Sequence, residues 1–234
     1  MALPKMNSET PVYELKLPTT GVKYKYRPFL VKEQKSMLIS NESGSQKEAM
    51  TGMLNCLQDC VPDLKLRELS TAEVDYMFIT VRGKAVGETA TLQHTCPHCS
   101  AANDITIKFD DISIINYNQD KTIKLNDDYT LIMKYPTYED TLNSVGADMS
   151  TTELIFETLK SSFKSLQTEE ENIEFKDETK EEIDQFINSL SGEQLEKCMN
   201  FVQNSPALYY EGNYECKNCH EKVEYKLNGF QDFL

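Results

Sequence analysis

Positive charge is scarce in this sequence: 24 lysines and arginines stand against 38 aspartates and glutamates, a formal net charge of −14. Nucleic-acid binding needs cationic side chains to neutralise phosphates, so this balance argues against it. It suits solubility and basic protein partners without naming any. Long apolar runs are also missing. No stretch approaches the roughly 20 apolar residues that span a bilayer, and the opening residues MALPKMNSETPVYELKLP lack the apolar segment of a secretory signal. The expectation is a protein made and kept in a reducing cytoplasm, where seven cysteines would not form a disulfide framework. An odd number cannot all pair within the chain in any case. Catalytic signatures are absent too: there is no H-E-x-x-H, no H-x-E with P-C-x-x-C, no G-x-S-x-G and no G-x-x-x-x-G-K. No array repeat of roughly 20–50 residues runs through the chain.

What is present is a globular composition. The 234 residues are 39% apolar, enough to bury a sizeable core without a metal or disulfide. Val12, Leu15 and Leu17, then Val22, Tyr24 and Tyr26, alternate with polar residues on either side of Pro18–Gly21, which predicts a hairpin. Helical spacing begins at about Phe29, with Leu30, Met37 and Leu38 near one face. It resumes after Asn41–Ser45 with Met50, Met53, Leu54 and Leu57. Ser70 and Glu73 fit a capping box before a helix carrying Val74, Met77, Phe78 and Val81. Thr89–Thr95 and the stretch with Ile105, Ile107 and Phe109 read as strands, and Lys121–Pro136 as a hairpin turning at Asn126–Asp128. Ser150 and Glu153 suggest a second capping box, before a helix carrying Leu154, Ile155, Leu159 and Phe163. The acidic Gln167–Glu182 reads as a solvated loop flowing into a helix N-terminus, where acidic groups are favoured, with a docking site for a basic partner as the other reading. Two helices follow, at about Thr179–Leu190 and Gly192–Gln203, and the chain is extended again from Ala207 to about Asn228.

Two cysteine pairs carry the chemistry. HTCPHCSAAN holds Cys96 and Cys99, and YECKNCHEK holds Cys216 and Cys219. Each pair sits between two predicted strands. A C-x-x-C turn lets both sulfurs reach one metal at about 2.3 Å, and two such knuckles complete a tetrahedral sulfur shell. The 116 residues between Cys99 and Cys216 far exceed the gap of a compact zinc ribbon, so the insertion would have to fold as its own helical layer and return. Two separate redox pairs fit less well, because neither motif opens a helix in a thioredoxin-like setting. Unliganded structural cysteines are the third reading. His94, His98 and His220 are all the histidines in the chain, and any could replace a cysteine ligand; the simpler reading makes them flanking or exposed side chains. Cys56, Cys60 and Cys198 lie in apolar helical contexts and read as small buried hydrophobes. Four thiolates would close the shell around one structural zinc per chain and leave no open position for catalysis. The expectation is an α+β fold with a helical layer, short antiparallel hairpins and a zinc-ribbon-like site. It is read as a single domain over 1–234, with the ribbon-like part from 89–109 and 207–228 and a helical insertion at about 137–205.

Three features together resemble a known family: KYRPFLVKEQKSML (Lys25–Leu38), STAEVDYMFITVRGKAVGE (Ser70–Glu88) and the paired C-x-x-C turns. The chain is similar to the baseplate hub subunit and hub-assembly proteins of T4-like bacteriophages from about Val12 onward. The resemblance implies a viral protein of the infected host cytoplasm, acting as a hub component or assembly chaperone. Its implied partners are other hub and tail-core proteins, its implied place is the assembling tail or the virion baseplate, and it implies no enzymatic activity. The positions that match are Arg27, Pro28 and Phe29, then Arg82, Lys84, Gly87 and Glu88, and the four cysteines. Read from the residues, Pro28 and Phe29 end a strand and start a helix with Phe29 in the core. Arg82 and Lys84 either snorkel at a helix end or contact a partner, and Gly87 caps that helix in a left-handed turn. The alternative reading is a zinc-ribbon module of a transcription or nucleic-acid regulator. It would need basic clusters beside the knuckles, whereas Glu215, Glu221 and Glu224 mix with Lys217, Lys222 and Lys226 there.

Overall fold

The computed structural model describes residues 10–145 and 149–233; the signal-sequence reading on residues 1–18 falls half on residues 1–9, outside that range. An antiparallel hairpin opens the described chain, β1 (Tyr13–Lys16) with β2 (Lys23–Tyr26), pairing Leu15 with Tyr24. Gly21 takes a positive φ of 71°, and its N–H reaches the Leu17 carbonyl at 2.8 Å to close the turn. Leu15, Leu17 and Tyr26 enter the core, while Val12 and Val22 remain exposed.

Helices α1 (Val31–Glu42), α2 (Gln46–Cys60) and α3 (Thr71–Val86) follow. The first departs from the expected pattern. Phe29 is buried as anticipated, but Leu30 and Leu38 are exposed, and the one buried residue of α1 is Glu33. The reason is an internal ion pair. Glu33 reaches back to accept the Leu30 N–H at 2.8 Å and meets the Arg27 guanidinium at 2.7 Å. That polar anchor, rather than the apolar residues, orients the helix inward. Helix α2 places Leu54, Cys56, Leu57 and Cys60 inside. Helix α3 begins as read, with the Glu73 carboxylate accepting the Ser70 N–H at 3.0 Å. Its buried residues include Ala72, Val74, Met77, Phe78, Ile79 and Val81, so apolar side chains cover most of its circumference.

Beyond α3, the hairpin β3 (Thr89–Thr95) and β4 (Ala102–Lys108) forms one two-stranded sheet. Strand β5 (Ser113–Ile115) crosses to a different sheet, where it pairs with β10 (Ala207–Glu215), which in turn pairs with β11 (Lys222–Asn228). Between them lies a four-stranded antiparallel sheet, β6 (Thr122–Lys124), β7 (Thr130–Met133), β8 (Phe163–Gln167) and β9 (Asn172–Glu174), in that order. Helices α4 (Tyr138–Ser144) and α5 (Thr151–Ser161) connect β7 to β8, and α6 (Lys180–Ser189) and α7 (Gly192–Gln203) lead from β9 to β10. The reciprocal box at Ser150 and Glu153 is present, with N–H bonds of 2.7 and 3.2 Å.

Two expectations in this region need correction. Phe163 is the first residue of β8, not part of the preceding helix, because α5 ends at Ser161. The acidic segment after it is no plain loop: Leu166 pairs with Ile173 across a hairpin turned by Thr168, whose hydroxyl accepts the Glu171 N–H at 2.9 Å. Phe175 then packs on Phe163 with ring centroids 5.1 Å apart. The insertion read as helical thus also contributes two strands.

Three buried clusters result. The largest joins β1–β2, α2, α3, α4 and the inner faces of β4, β5, β10 and β11. A second lies between β7, β8 and α5–α7, around Leu131, Met133, Leu159, Phe163 and Phe201. The third is small and holds Cys96, Cys216 and Val223. Mixed helices and small antiparallel sheets therefore stand as expected. Among the described residues, no helix is long and apolar enough to cross a membrane.

Candidate metal centre

The two cysteine turns are built alike because the same local geometry repeats. In the first, the Cys96 N–H donates to the Ala101 carbonyl at 2.9 Å and the Ser100 N–H to the Cys96 carbonyl at 2.9 Å. In the second, Cys216 donates to Glu221 at 2.9 Å and His220 to Cys216 at 3.0 Å. The fifth residue of each turn takes a left-handed conformation, Ser100 at φ 59° and His220 at φ 60°. Each turn closes a regular antiparallel ladder, Thr95 against Ala102 and Glu215 against Lys222. A strand that ends in such a turn points both of its sulfurs past the end of the ladder.

The fold sets the two turns tip to tip. One ligand atom from each of Cys96, Cys99, Cys216 and Cys219 lies within 4.8 Å of all the others. The Cys96 and Cys219 sulfurs are 3.8 Å apart, and those of Cys99 and Cys216 are 3.6 Å apart. A disulfide needs about 2.05 Å. A tetrahedron of thiolates at the about 2.3 Å typical of zinc has edges of about 3.8 Å. The spacing is that of a metal shell, and the four cysteines could hold an ion.

Electrostatics fit a cation. Backbone N–H groups of Cys219 and Asn218 pull the Cys216 thiol down to about 6. The Asn218 side chain and the Ala101 N–H lower that of Cys99. Cys219 moves the other way, to about 12: the Glu221 N–H favours its thiolate, but burial and the neighbouring sulfurs outweigh that donor. Several anionic sulfurs in one small volume repel one another, and a divalent ion at their centre removes the repulsion.

A polar residue that the sequence reading passed over joins the knuckles. Asn103 is only 2% exposed. Its side-chain amide donates to the Ala101 carbonyl at 2.9 Å and lies 3.5 Å from the Cys216 sulfur, while its oxygen accepts the Lys217 N–H at 2.9 Å. One asparagine on the first knuckle therefore orders the second. Its signal was available, because Asn103 falls in the same inward register of β4 as Ile105 and Ile107, where a polar residue requires partners. Lys217 also pairs with Asp104 at 3.0 Å.

The histidines stand outside the sulfur cluster. His94 extends the seam between the hairpins: its Nδ1 is 3.0 Å from the Tyr214 hydroxyl, and its ring lies 5.5 Å from those of Tyr214 and Tyr225. His98 is exposed, and His220 faces Glu215 at 3.3 Å. Gly212 has a specific role in this seam. It pairs with Tyr225, and a Cβ on it would come within 2.6 Å of the Tyr225 hydroxyl. Cys56, Cys60 and Cys198 are buried in the other two clusters, outside the group of four, and burial drives the Cys60 and Cys198 thiols up to about 12 and about 11.

The charged residues at the other motif positions find partners within the chain. Arg27 pairs with Glu33. Arg82 lies over the Phe109 ring, 5.9 Å from its centroid, and reaches the Phe233 carbonyl at 3.4 Å. Lys84 pairs with Glu88 one turn away. Gly87 does end α3 with a positive φ, but at φ 144° and ψ 149° it is extended rather than left-handed helical. Such a conformation is open essentially to glycine alone.

No curated protein and no solved structure matches the chain. The family model described as T4 bacteriophage base plate protein matches residues 10–234, through both halves of the cysteine cluster and both N-terminal motifs, and the chain belongs to that family.

Proposed function

We propose that this protein is a non-enzymatic component of the central hub of a phage baseplate, or a chaperone of its assembly, with a structural zinc held by Cys96, Cys99, Cys216 and Cys219. The observation that carries the reading is the family match across residues 10–234. A baseplate role follows from membership, and association with other baseplate proteins with it. The closed sulfur shell supports a structural task for the metal, since a zinc with four thiolates keeps no position for substrate or water. Its effect is to tie β3–β4 to β10–β11 and so to close the long insertion onto the first half of the chain. Work during tail assembly in the infected host cytoplasm, docked on hub and tail-core proteins, completes the proposal. The knuckle surfaces pair Lys217 with Asp104 and leave glutamates between lysines, which supports a protein partner over nucleic acid.

Elemental analysis with native mass spectrometry tests the metal: one zinc per chain is expected, and a metal-free or iron-loaded protein refutes that part. Affinity capture from infected cells tests the role. Recovery of hub or tail-core proteins is expected, and capture without any tail protein refutes it.

A further inference from the structure

We propose that α1 is the two-fold interface of a homodimer, its outward stripe of Lys35, Leu38, Ile39 and Glu42 packing antiparallel on the same stripe of a second copy, with Val31 at the edge of the contact. The helix is inverted relative to an ordinary surface helix. Its inward face carries Glu33 with Met37 and Ser40 half-buried, whereas Val31, Leu38 and Ile39 are 79%, 65% and 58% exposed. Residues 31, 35, 38, 39 and 42 follow the i, i+4, i+7, i+8, i+11 spacing of a single helix face. Scattered exposed apolar residues are ordinary on a protein surface, but a row of them on one helix marks an interaction surface.

The charges on the stripe identify the occupant. Lys35 and Glu42 are both exposed, and neither takes part in a salt bridge among the described residues. They lie two turns apart and cannot meet on their own helix. An antiparallel copy whose two-fold axis passes between Leu38 and Ile39 places Leu38 against Ile39 twice. The same axis places Lys35 against Glu42 twice. The stripe is thus self-complementary in both apolar contact and charge, which an isologous interface requires.

Sedimentation velocity of the metal-loaded full chain over a wide concentration range tests this. Wild type is expected to pass reversibly from monomer to dimer at micromolar concentrations, on the order expected of a small interface. Leu38→Asp should weaken the dimer by about 100-fold or more, since it sets two carboxylates in the apolar centre. Lys35→Glu and Glu42→Lys alone should each weaken it by about tenfold, while the double swap should return to within about threefold of wild type. These positions are exposed, so unchanged circular dichroism and melting identify folded variants. A wild type that stays monomeric at about 300 µM, well above a micromolar constant, overturns the proposal. So does a dimer indifferent to Leu38→Asp, or a double swap no better than the single changes. Capture of α1 by a different hub protein while the chain alone stays monomeric would assign the stripe elsewhere and also overturn it.

Discussion

Replacing Glu33 by glutamine removes a buried charge while keeping the side-chain volume and an acceptor for the Leu30 N–H. Glu33 is 2% exposed, yet its carboxyl is held at about 2 against an ordinary 4.5. Burial opposes the charge, but the Arg27 guanidinium, the Leu30 N–H and Lys32 outweigh it. A displacement of that size corresponds to about 3 kcal/mol. Lys32 is two-thirds exposed, and its screened share reduces the figure to about 2–3 kcal/mol. The sign follows from the direction of the shift. A carboxyl lowered on folding stabilises the fold fully above its unfolded value near 4.5, and that stabilisation disappears as pH falls toward 2. The stability gap between wild type and Glu33→Gln should therefore be about 2–3 kcal/mol at pH 7, smaller by about 0.8 kcal/mol at pH 4 and by about 1.4 kcal/mol at pH 3.5. Urea denaturation of both proteins, paired at each pH, measures it, because the general effect of acid on so anionic a chain cancels in the difference. A gap below about 0.5 kcal/mol at pH 7, or one that stays constant down to pH 3.5, refutes the assignment of Arg27 and Glu33 as the anchor of α1.

The remaining predictions concern the cysteine seam. Asn103→Ala should lower metal affinity by about 10–100-fold, the usual cost of losing a group that orients the ligands, as read by competition with a chromogenic chelator. If the proposed metal is bound, a chelator, like Cys216→Ser, should raise amide exchange in β3–β4 and β10–β11 while the buried cluster around Leu131, Phe163 and Phe201 stays protected; uniform loss of protection would contradict this. Gly212→Ala should destabilise by about 1–3 kcal/mol through overpacking against Tyr225, and Tyr225→Leu in the same chain should recover part of that loss in thermal denaturation.

Elements whose signals are local were legible in the sequence. The helix starts at Ser70 and Ser150 depend on residues three apart, and a capping carboxylate acts whatever lies further along the chain. The cysteine spacing announced two knuckles because a C-x-x-C turn sets its own geometry. The β8–β9 hairpin was hidden by composition: glutamates crowd its turn, and only Leu166, Ile173 and Phe175 mark the inward side. Helix α1 misled for a different reason. Its apolar residues predicted an inward face that the Arg27–Glu33 pair instead occupies, and six residues of chain separation give a periodicity argument no means of seeing an ion pair.

The sequence by itself determined the local units: the helices that carry caps, the alternating strands, and two turns that each present two sulfurs. Their pairing suggested that the turns meet, but with 116 residues between Cys99 and Cys216 only the tertiary structure could bring them together. It also decided that Asn103, His94, Tyr214 and Gly212 would serve the seam between them. The physical reason is range. Spacing and propensity act over a few residues, whereas bringing two hairpins tip to tip depends on the packing of the whole insertion into its own core, so that its ends return to one place.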